Sequence, residues 1–97
     1  MDVTAWSNGS STYGIRVGIP SVHRYFNTNW KKIQVKMDDE VHNFKLTKSF
    51  WSTCPEFRGK AIERWLRKHN LIPWPKGQPP RLKLIALRGN KFKLKLS

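Results

Sequence analysis

Acidic residues are scarce in this sequence, with six Asp and Glu against nineteen Lys and Arg. The resulting formal charge of +13 opposes compact folding by self-repulsion unless a polyanion neutralises it. The excess is uneven, because residues 1–40 carry a net charge of +1 and residues 41–97 a net charge of +12. Nucleic acid is the commonest polyanionic partner of such chains, so the balance predicts nucleic-acid binding rather than membrane binding.

Cysteine, histidine and long apolar runs are also scarce. The single Cys54 excludes an internal disulfide and a cysteine-rich zinc site, and we expect it to be a packed residue rather than a reactive thiol. The three histidines stand far apart, so we expect no metal and no cofactor. Neither a secretory signal nor a membrane-spanning run is present, which predicts an intracellular setting, cytoplasmic in a bacterium.

Catalytic motifs are absent from the sequence. It has no nucleophile elbow, no phosphate-binding glycine loop and no HExxH motif. Residues 56–60 (EFRGK) only loosely resemble the carboxylate-x-lysine end of a nuclease motif, and no partner Pro-Asp precedes them. We therefore expect the domain itself to be non-catalytic.

Aromatic residues, by contrast, are plentiful, at 12% of the chain with five tryptophans. Large rings bury much area, which favours a folded domain, here expected over residues 12–97 after a flexible segment over residues 1–11. We expect Trp65 and Trp74 to belong to the core, and Trp6 and Trp51 to be the better candidates for exposure.

Hydrophobic periodicity predicts five or six short strands and two helices. This content favours a mainly β fold with two helices, built as a small open β-barrel, because barrel closure removes exposed strand edges. The proline-rich residues 73–80 are predicted to form an extended connector. The predicted strands are 12–19, 30–37, 41–47, 82–86 and 92–96, and the predicted helices are 21–26, capped by Ser21, and 61–70.

Two polar segments could read base edges, residues 7–12 (SNGSST) and residues 48–60 (KSFWSTCPEFRGK). In the second, Arg58 or Lys60 could pair with guanine, and Glu56 could accept a hydrogen bond from cytosine. Two alternatives remain open: Glu56 as an acid in the first turn of a helix that starts at Pro55, and residues 7–12 as a disordered tail.

The order of predicted elements resembles a known DNA-binding fold. A strand that ends in Ile19-Pro20-Ser21, a short helix that closes at Phe26, a hairpin, a polar loop and then Ile62-Glu63-Arg64-Trp65 before the closing strands resembles the B-three-like pseudobarrel domains. Such domains occur in plant transcription factors and as specificity modules of type II restriction endonucleases. The resemblance spans roughly residues 12–97.

This resemblance implies a seven-stranded open barrel that grips double-stranded DNA with two arms in the major groove, here residues 8–13 and 48–60. It also implies a restriction-endonuclease context, with a nuclease domain fused to or bound by the module. The candidate DNA-binding residues are Asn8, Ser10, Ser11, Thr12, Tyr13, Arg16, Lys48, Ser49, Trp51, Ser52, Thr53, Glu56, Arg58 and Lys60. The candidate phosphate-gripping residues are Lys31, Lys32, Arg64, Lys76, Arg81 and Lys93.

Two other functions fit the same composition. One is a small barrel that binds RNA or single strands, in which exposed tryptophans would stack on unpaired bases. The other is a protein-interaction domain whose basic face meets an acidic partner. Preference for single strands over duplex would favour the first, and failure to bind any nucleic acid at low salt would favour the second.

Overall fold

A computed structural model describes residues 1–9 and 11–97 of the chain. These residues form a single seven-stranded sheet and three helices. The strands are β1 (Asp2–Ser7), β2 (Tyr13–Val17), β3 (Lys32–Met37), β4 (Glu40–Lys45), β5 (Glu56–Arg58), β6 (Arg81–Ala86) and β7 (Lys91–Leu96). The helices are α1 (Ile19–Tyr25), α2 (Lys48–Ser52) and α3 (Lys60–Lys68).

The sheet curls into a nearly closed barrel. Its strand order is β4-β3-β7-β6-β1-β2-β5, and every pair is antiparallel except β3 with β7. The two edge strands, β4 and β5, approach each other, and their Phe44 and Phe57 rings lie with centroids 5.2 Å apart on the inner side. The prediction of a mainly β, small open barrel is confirmed, with three helices in place of the expected two.

Alternating strand residues fill the barrel interior. Ile33 and Val35 on β3 point inward and are fully buried, while Lys32 and Lys36 on the same strand are exposed. β6 and β7 begin with the same pattern, in which the buried Leu82, Leu84, Phe92 and Leu94 alternate with basic residues, and their last two residues are exposed. This period of two is the reason that the sequence predicted these strands correctly.

Helices close both ends of the barrel. We call the end at which β1 finishes the upper end, and strand directions place α3 there and α1 with α2 at the lower end. At the lower end, the ring of Phe26 after α1 packs at a tilt against Phe50 of α2, with ring centroids 5.1 Å apart. At the upper end, α3 buries Ile62 and Leu66 completely. The apolar stripe predicted for this helix is its barrel-facing side.

The prediction of a flexible segment over residues 1–11 was wrong for Asp2–Ser7, which form β1. This strand pairs with both β2 and β6, and Val3 and Ala5 are buried in the core. Its inward-facing positions are only Val3 and the small Ala5, and polar residues surround them. The sequence therefore carries too weak an apolar alternation to indicate a strand.

Residues 48–60 are more regular than the predicted loop. They contain α2, the three-residue strand β5 and the start of α3. The alternative of a helix from Pro55 was also wrong, because β5 pairs with β2 and precedes Gly59. Only Phe50 is buried in α2, so this helix has no periodic apolar signal.

The bounds of α1 differ from the predicted helix over residues 21–26. The helix begins at Ile19 after the cap residue Gly18, and Pro20 lies in its first turn, so Ser21 is not the cap. Proline is favoured there because the first helical N–H groups have no intrahelical acceptor. The connector over residues 73–80 has no helix or strand, as predicted, and the β6–β7 hairpin also matches the prediction.

Candidate nucleic-acid interface

A groove runs along the seam where the barrel fails to close, between β4 and β5. Its volume is about 640 Å³. Backbone and side chains of both edge strands, the start of α2 and the start of α3 form its walls. The lining residues are His42, Asn43, Phe44, Lys45, Thr47, Ser49, Glu56, Arg58, Gly59, Lys60 and Ala61.

A buried carboxylate lies at the base of this groove. The Glu56 side chain is only 2% exposed, and its Oε2 accepts a hydrogen bond from Nη2 of Arg16 at 3.0 Å. The two residues face each other in the β2–β5 register. Because the Glu56 carboxylate is committed to Arg16, a cytosine amino group would have to compete with that guanidinium. The structure therefore favours Glu56 as the residue that orients Arg16, whose own side chain is 53% exposed.

Arg58 stands at the upper rim of the groove and is held by Trp6. Its guanidinium carbon lies 4.7 Å from the centroid of the Trp6 ring. Gly14 lies between them, because Trp6 pairs with Gly14 in β1–β2 and Gly14 pairs with Arg58 in β2–β5. A cation over an indole face gains a favourable electrostatic contact that restricts its orientation. An exposed arginine is thus preorganised beside the groove.

The loop between β1 and β2 forms a closed turn at the upper end. Asn8 N–H donates to Thr12 O, and Thr12 N–H donates to the side-chain Oδ1 of Asn8, both at 3.2 Å. Gly9 adopts a left-handed φ of +88°, and Ser11 is exposed. Ser10, another predicted contact, lies outside the described residues.

Tyr13 joins this loop to the proline-rich connector rather than to the groove. Its ring packs edge-on against Trp74 with centroids 5.9 Å apart. Both side chains are half-buried. The contact braces the β1–β2 loop from the side of the connector.

The second predicted loop divides between two sides of the lower end. Ser49 lines the groove, and its hydroxyl lies 3.0 Å from that of Thr47. Lys48 and Thr53 are exposed at the two ends of α2. Trp51 and Ser52, in contrast, line a separate cavity of about 410 Å³ between α1 and α2, so they do not face the groove.

The two polar loops bracket the groove from opposite ends of the β2–β5 pair. β2 spans Tyr13–Val17, so about 13 Å of strand separates the β1–β2 loop from the segment that enters β5. Backbone hydrogen bonds extend the pairing beyond both ends, from Gly59 N–H to Tyr13 O and from Val17 N–H to Pro55 O. The strand pair is a short, rigid spacer between the two loops.

Comparisons of the chain with protein-family models, with curated proteins and with solved structures find no match.

The predicted phosphate-gripping residues do not form one surface. Lys31 and Lys32 lie where β3 starts at the lower end, and Arg64 is exposed on α3. Lys76 lies on the connector, and Arg81 starts β6 opposite Thr4 of β1. Lys93 projects from β7, on the side of the barrel away from the seam. Of the predicted basic contacts, only Arg58 and Lys60 line the groove.

Sequence reasoning missed the contribution of β4 to the groove. Asn43 and Lys45 project outward from this strand beside the seam. The alternation of β4 marks both as outward-facing, but only the closure of the barrel brings them opposite Arg58. This long-range approach has no local signal.

Acidic residues are largely occupied by ion pairs within the protein. The hydrogen bond from Lys68, at 2.8 Å, lowers the pKa of Asp38, and the same contact raises the pKa of Lys68. A hydrogen bond from Lys83 lowers the pKa of Asp2. Glu63 pairs with Arg67 along α3. Most of the nineteen basic side chains are therefore left to meet an external anion.

The described residues offer neither a metal site nor a membrane span. Among residues 1–9 and 11–97, no three His, Cys, Asp or Glu side chains come together in a way that could hold a metal ion. No helix in this part of the chain is long and apolar enough to cross a membrane.

Proposed function

We propose that this chain binds double-stranded DNA in a sequence-specific manner, with the seam groove and its two bracketing loops as the contact surface. The observation that carries the proposal is the position of Arg58. Its preorganised guanidinium stands at the rim of a polar groove, between two loops that carry hydroxyl and amide groups. Arginine bound bidentately to guanine is the commonest specific contact in the major groove.

The groove combines the two kinds of contact that specific binding requires. Lys45 and Lys60 supply charges for phosphates from opposite walls, while Asn43 and Ser49 supply donors and acceptors. The strand of about 13 Å between the two loops sets their separation. Because the major groove is about 12 Å wide, both loops can enter one groove only at successive positions along its length.

The environment of the tryptophans favours duplex over single strands. Binders of single strands present aromatic faces on which bases stack. Here Trp6 is covered by Arg58, Trp51 packs edge-on against Phe50 with centroids 4.9 Å apart, and Trp65 is buried. The other two tryptophans contact aromatic neighbours, Trp30 at Phe92 and Trp74 at Tyr13.

The resemblance to B-three-like domains belongs to the same proposal. It supplies the expectation of a recognition module within or beside a restriction endonuclease, and the succession of strands and helices is compatible with it. We assign no cleavage to this chain, because Glu56 and Glu63 are both committed to arginines of the protein itself.

A selection from a random duplex library at about physiological salt tests the proposal, because such salt suppresses non-specific binding. We expect a consensus site for the wild-type protein. In the Arg58→Ala variant we expect one position of the consensus to lose its preference, with about 5- to 150-fold weaker binding to the selected site. The Arg58→Lys variant keeps the charge but not the bidentate donor, and should relax the same position.

Lys45→Gln is the matched control for phosphate contacts. It should weaken binding to all duplexes about equally and reduce the logarithmic salt slope by about one. The proposal is wrong if no consensus emerges, if single strands displace the duplex, or if Arg58→Ala and Lys45→Gln have the same effect on binding.

A further inference from the structure

A second basic surface lies on the outside of the three strands β3, β7 and β6. Six of their nine outward positions are lysine, the others being Gln34, Arg81 and Ile85, and we call the six the lysine face. It consists of Lys32, Lys36, Lys83, Lys91, Lys93 and Lys95.

The strand register places lysines directly opposite one another on this face. Lys36 of β3 faces Lys93 of β7, and Lys83 of β6 faces Lys95 of β7. Like charges at facing positions of neighbouring strands destabilise a sheet. Within the described part of the face, the structure shows a carboxylate contact only for Lys83, with Asp2. The repulsion between Lys36 and Lys93 therefore has no compensating carboxylate, while that between Lys83 and Lys95 is partly offset.

Protection of sheet edges does not explain these lysines. Lysine on an edge strand prevents pairing with another chain, but β6 and β7 are interior strands with a partner on each side. Solubility does not require them either, because a surface with interspersed positive and negative side chains is soluble without like charges at facing positions. An arrangement that weakens the free protein points to an anion that binds there.

The β6 and β7 lysines of this face lie on the side of the barrel opposite the seam groove, while its β3 lysines lie between, with Lys32 facing the groove residue Lys45 in the β3–β4 register. β6 is the middle strand of the seven, three strands from either edge, and β7 is its neighbour. The shortest dimension of the molecule is 21 Å. A straight duplex seated in the groove does not reach the far side, and bending it around so small a body is costly.

We propose that the lysine face binds the phosphate backbone of a second duplex segment, without regard to sequence, while the groove holds the first. The domain then bridges two DNA segments. This inference rests on the proposed function for the identity of the anion. The face offers lysines but no exposed aromatic side chain among its strands, which fits phosphate contact better than insertion into a membrane interface.

A bridging assay tests the proposal. A duplex of arbitrary sequence is immobilised on beads, and retention of a labelled duplex carrying the selected site is measured with and without protein. We expect the wild-type protein to retain the labelled duplex. The double variant Lys36→Gln/Lys95→Gln removes one lysine from each facing pair, and we expect it to lower retention at least five-fold. Its affinity for the single selected duplex should stay within two-fold of wild type.

Arg24→Gln/Arg67→Gln is the matched control, because it removes the same charge from two helices outside both surfaces. We expect its retention to stay near that of wild type. The inference is overturned if the wild-type protein does not bridge, if both double variants lose retention equally, or if bridging survives in Lys36→Gln/Lys95→Gln. It is also overturned if the lysine variant bridges normally but loses binding to phosphatidylserine vesicles.

The bridging assay and the selection fail independently. Loss of the consensus with intact, lysine-dependent bridging of arbitrary duplexes would count against the groove alone. A normal consensus without bridging would count against the lysine face alone.

Discussion

Gly14 sets the geometry around the arginine at the groove rim. Trp6, Gly14 and Arg58 lie side by side on three neighbouring strands, and their Cα substituents face the same outer side of the barrel. A hydrogen atom in the middle position leaves room for the guanidinium to cross to the indole. A Cβ atom built there would lie 2.6 Å from the carbonyl oxygen of Phe57 and 3.0 Å from Cβ of Arg58.

We expect Gly14→Ala to destabilise the protein by about 1–3 kcal/mol, because the new methyl group meets backbone that cannot move freely. Gly18→Ala is the comparison variant: a Cβ there meets only Cδ of Pro20 at 3.9 Å, so its cost should be limited to the poorer α1 cap, at most about 1 kcal/mol. Chemical denaturation measures both. Equal stability of Gly14→Ala and wild type would show that β2 and β5 are not packed as closely as described.

At the scale of elements, an acidic turn links α3 to the β3–β4 hairpin through side-chain hydrogen bonds. Asp38 lies in this turn and accepts hydrogen bonds from Lys68 at 2.8 Å and from His69 at 3.1 Å when that nitrogen is protonated. The Asp38 pKa is lowered, chiefly by the Lys68 hydrogen bond. A lowered carboxyl pKa stabilises the fold above the unfolded value of 3.8, and the contribution disappears as the pH falls through the folded value.

Asp38→Asn should therefore lower the melting temperature at pH 7, by a few degrees at most, and the difference from wild type should vanish near pH 2. Asparagine suits the test because it tolerates the positive φ of 57° at this position. Asp39→Asn, the neighbouring exposed residue, serves as the control. A difference that persisted unchanged at low pH would contradict the assigned role of the carboxylate.

Elements with a repeated apolar period could be predicted from the sequence, and short ones could not. α3 and the β6–β7 hairpin were predicted within two residues of their observed bounds. β5 has three residues and depends on pairing with β2, while α2 buries one side chain. For the site, residue chemistry singled out Arg58 and Lys60, whereas Lys45 joins them only because the barrel brings its two edges together.

At the scale of the whole molecule, the positive charge that the sequence concentrates in residues 41–97 is spread over the outer surface of the barrel. Most of the excess that belongs to residues 41–97 faces outward from β6, β7 and α3 or lines the groove. The free protein is therefore expected to be less stable at low salt than at high salt. Repulsion between its charges extends over about 10 Å at 0.1 M salt but only about 3 Å at 1 M.

Lys36→Gln should accordingly raise the melting temperature by about 1–5 °C at low salt, because it relieves repulsion with Lys93 across the β3–β7 pair. At 1 M salt the gain should shrink towards zero. Lys76→Gln on the connector, where no strand partner faces the side chain, is the control and should change little in either condition. Thermal unfolding at both salt concentrations measures the effect, and a destabilised Lys36→Gln protein would contradict it.

The one parallel strand pair has a consequence for the order of folding. In the sheet formed by residues 1–9 and 11–97, β3 and β4 are hydrogen-bonded to the other strands through β7, whose partner β3 lies far away in the sequence. Contacts between distant segments slow folding, because the loop between them must be closed before the pairing is gained. On a ribosome, a nascent chain still lacking β7 would display unpaired edges on both β3 and β6, and such edges are open to aggregation during synthesis.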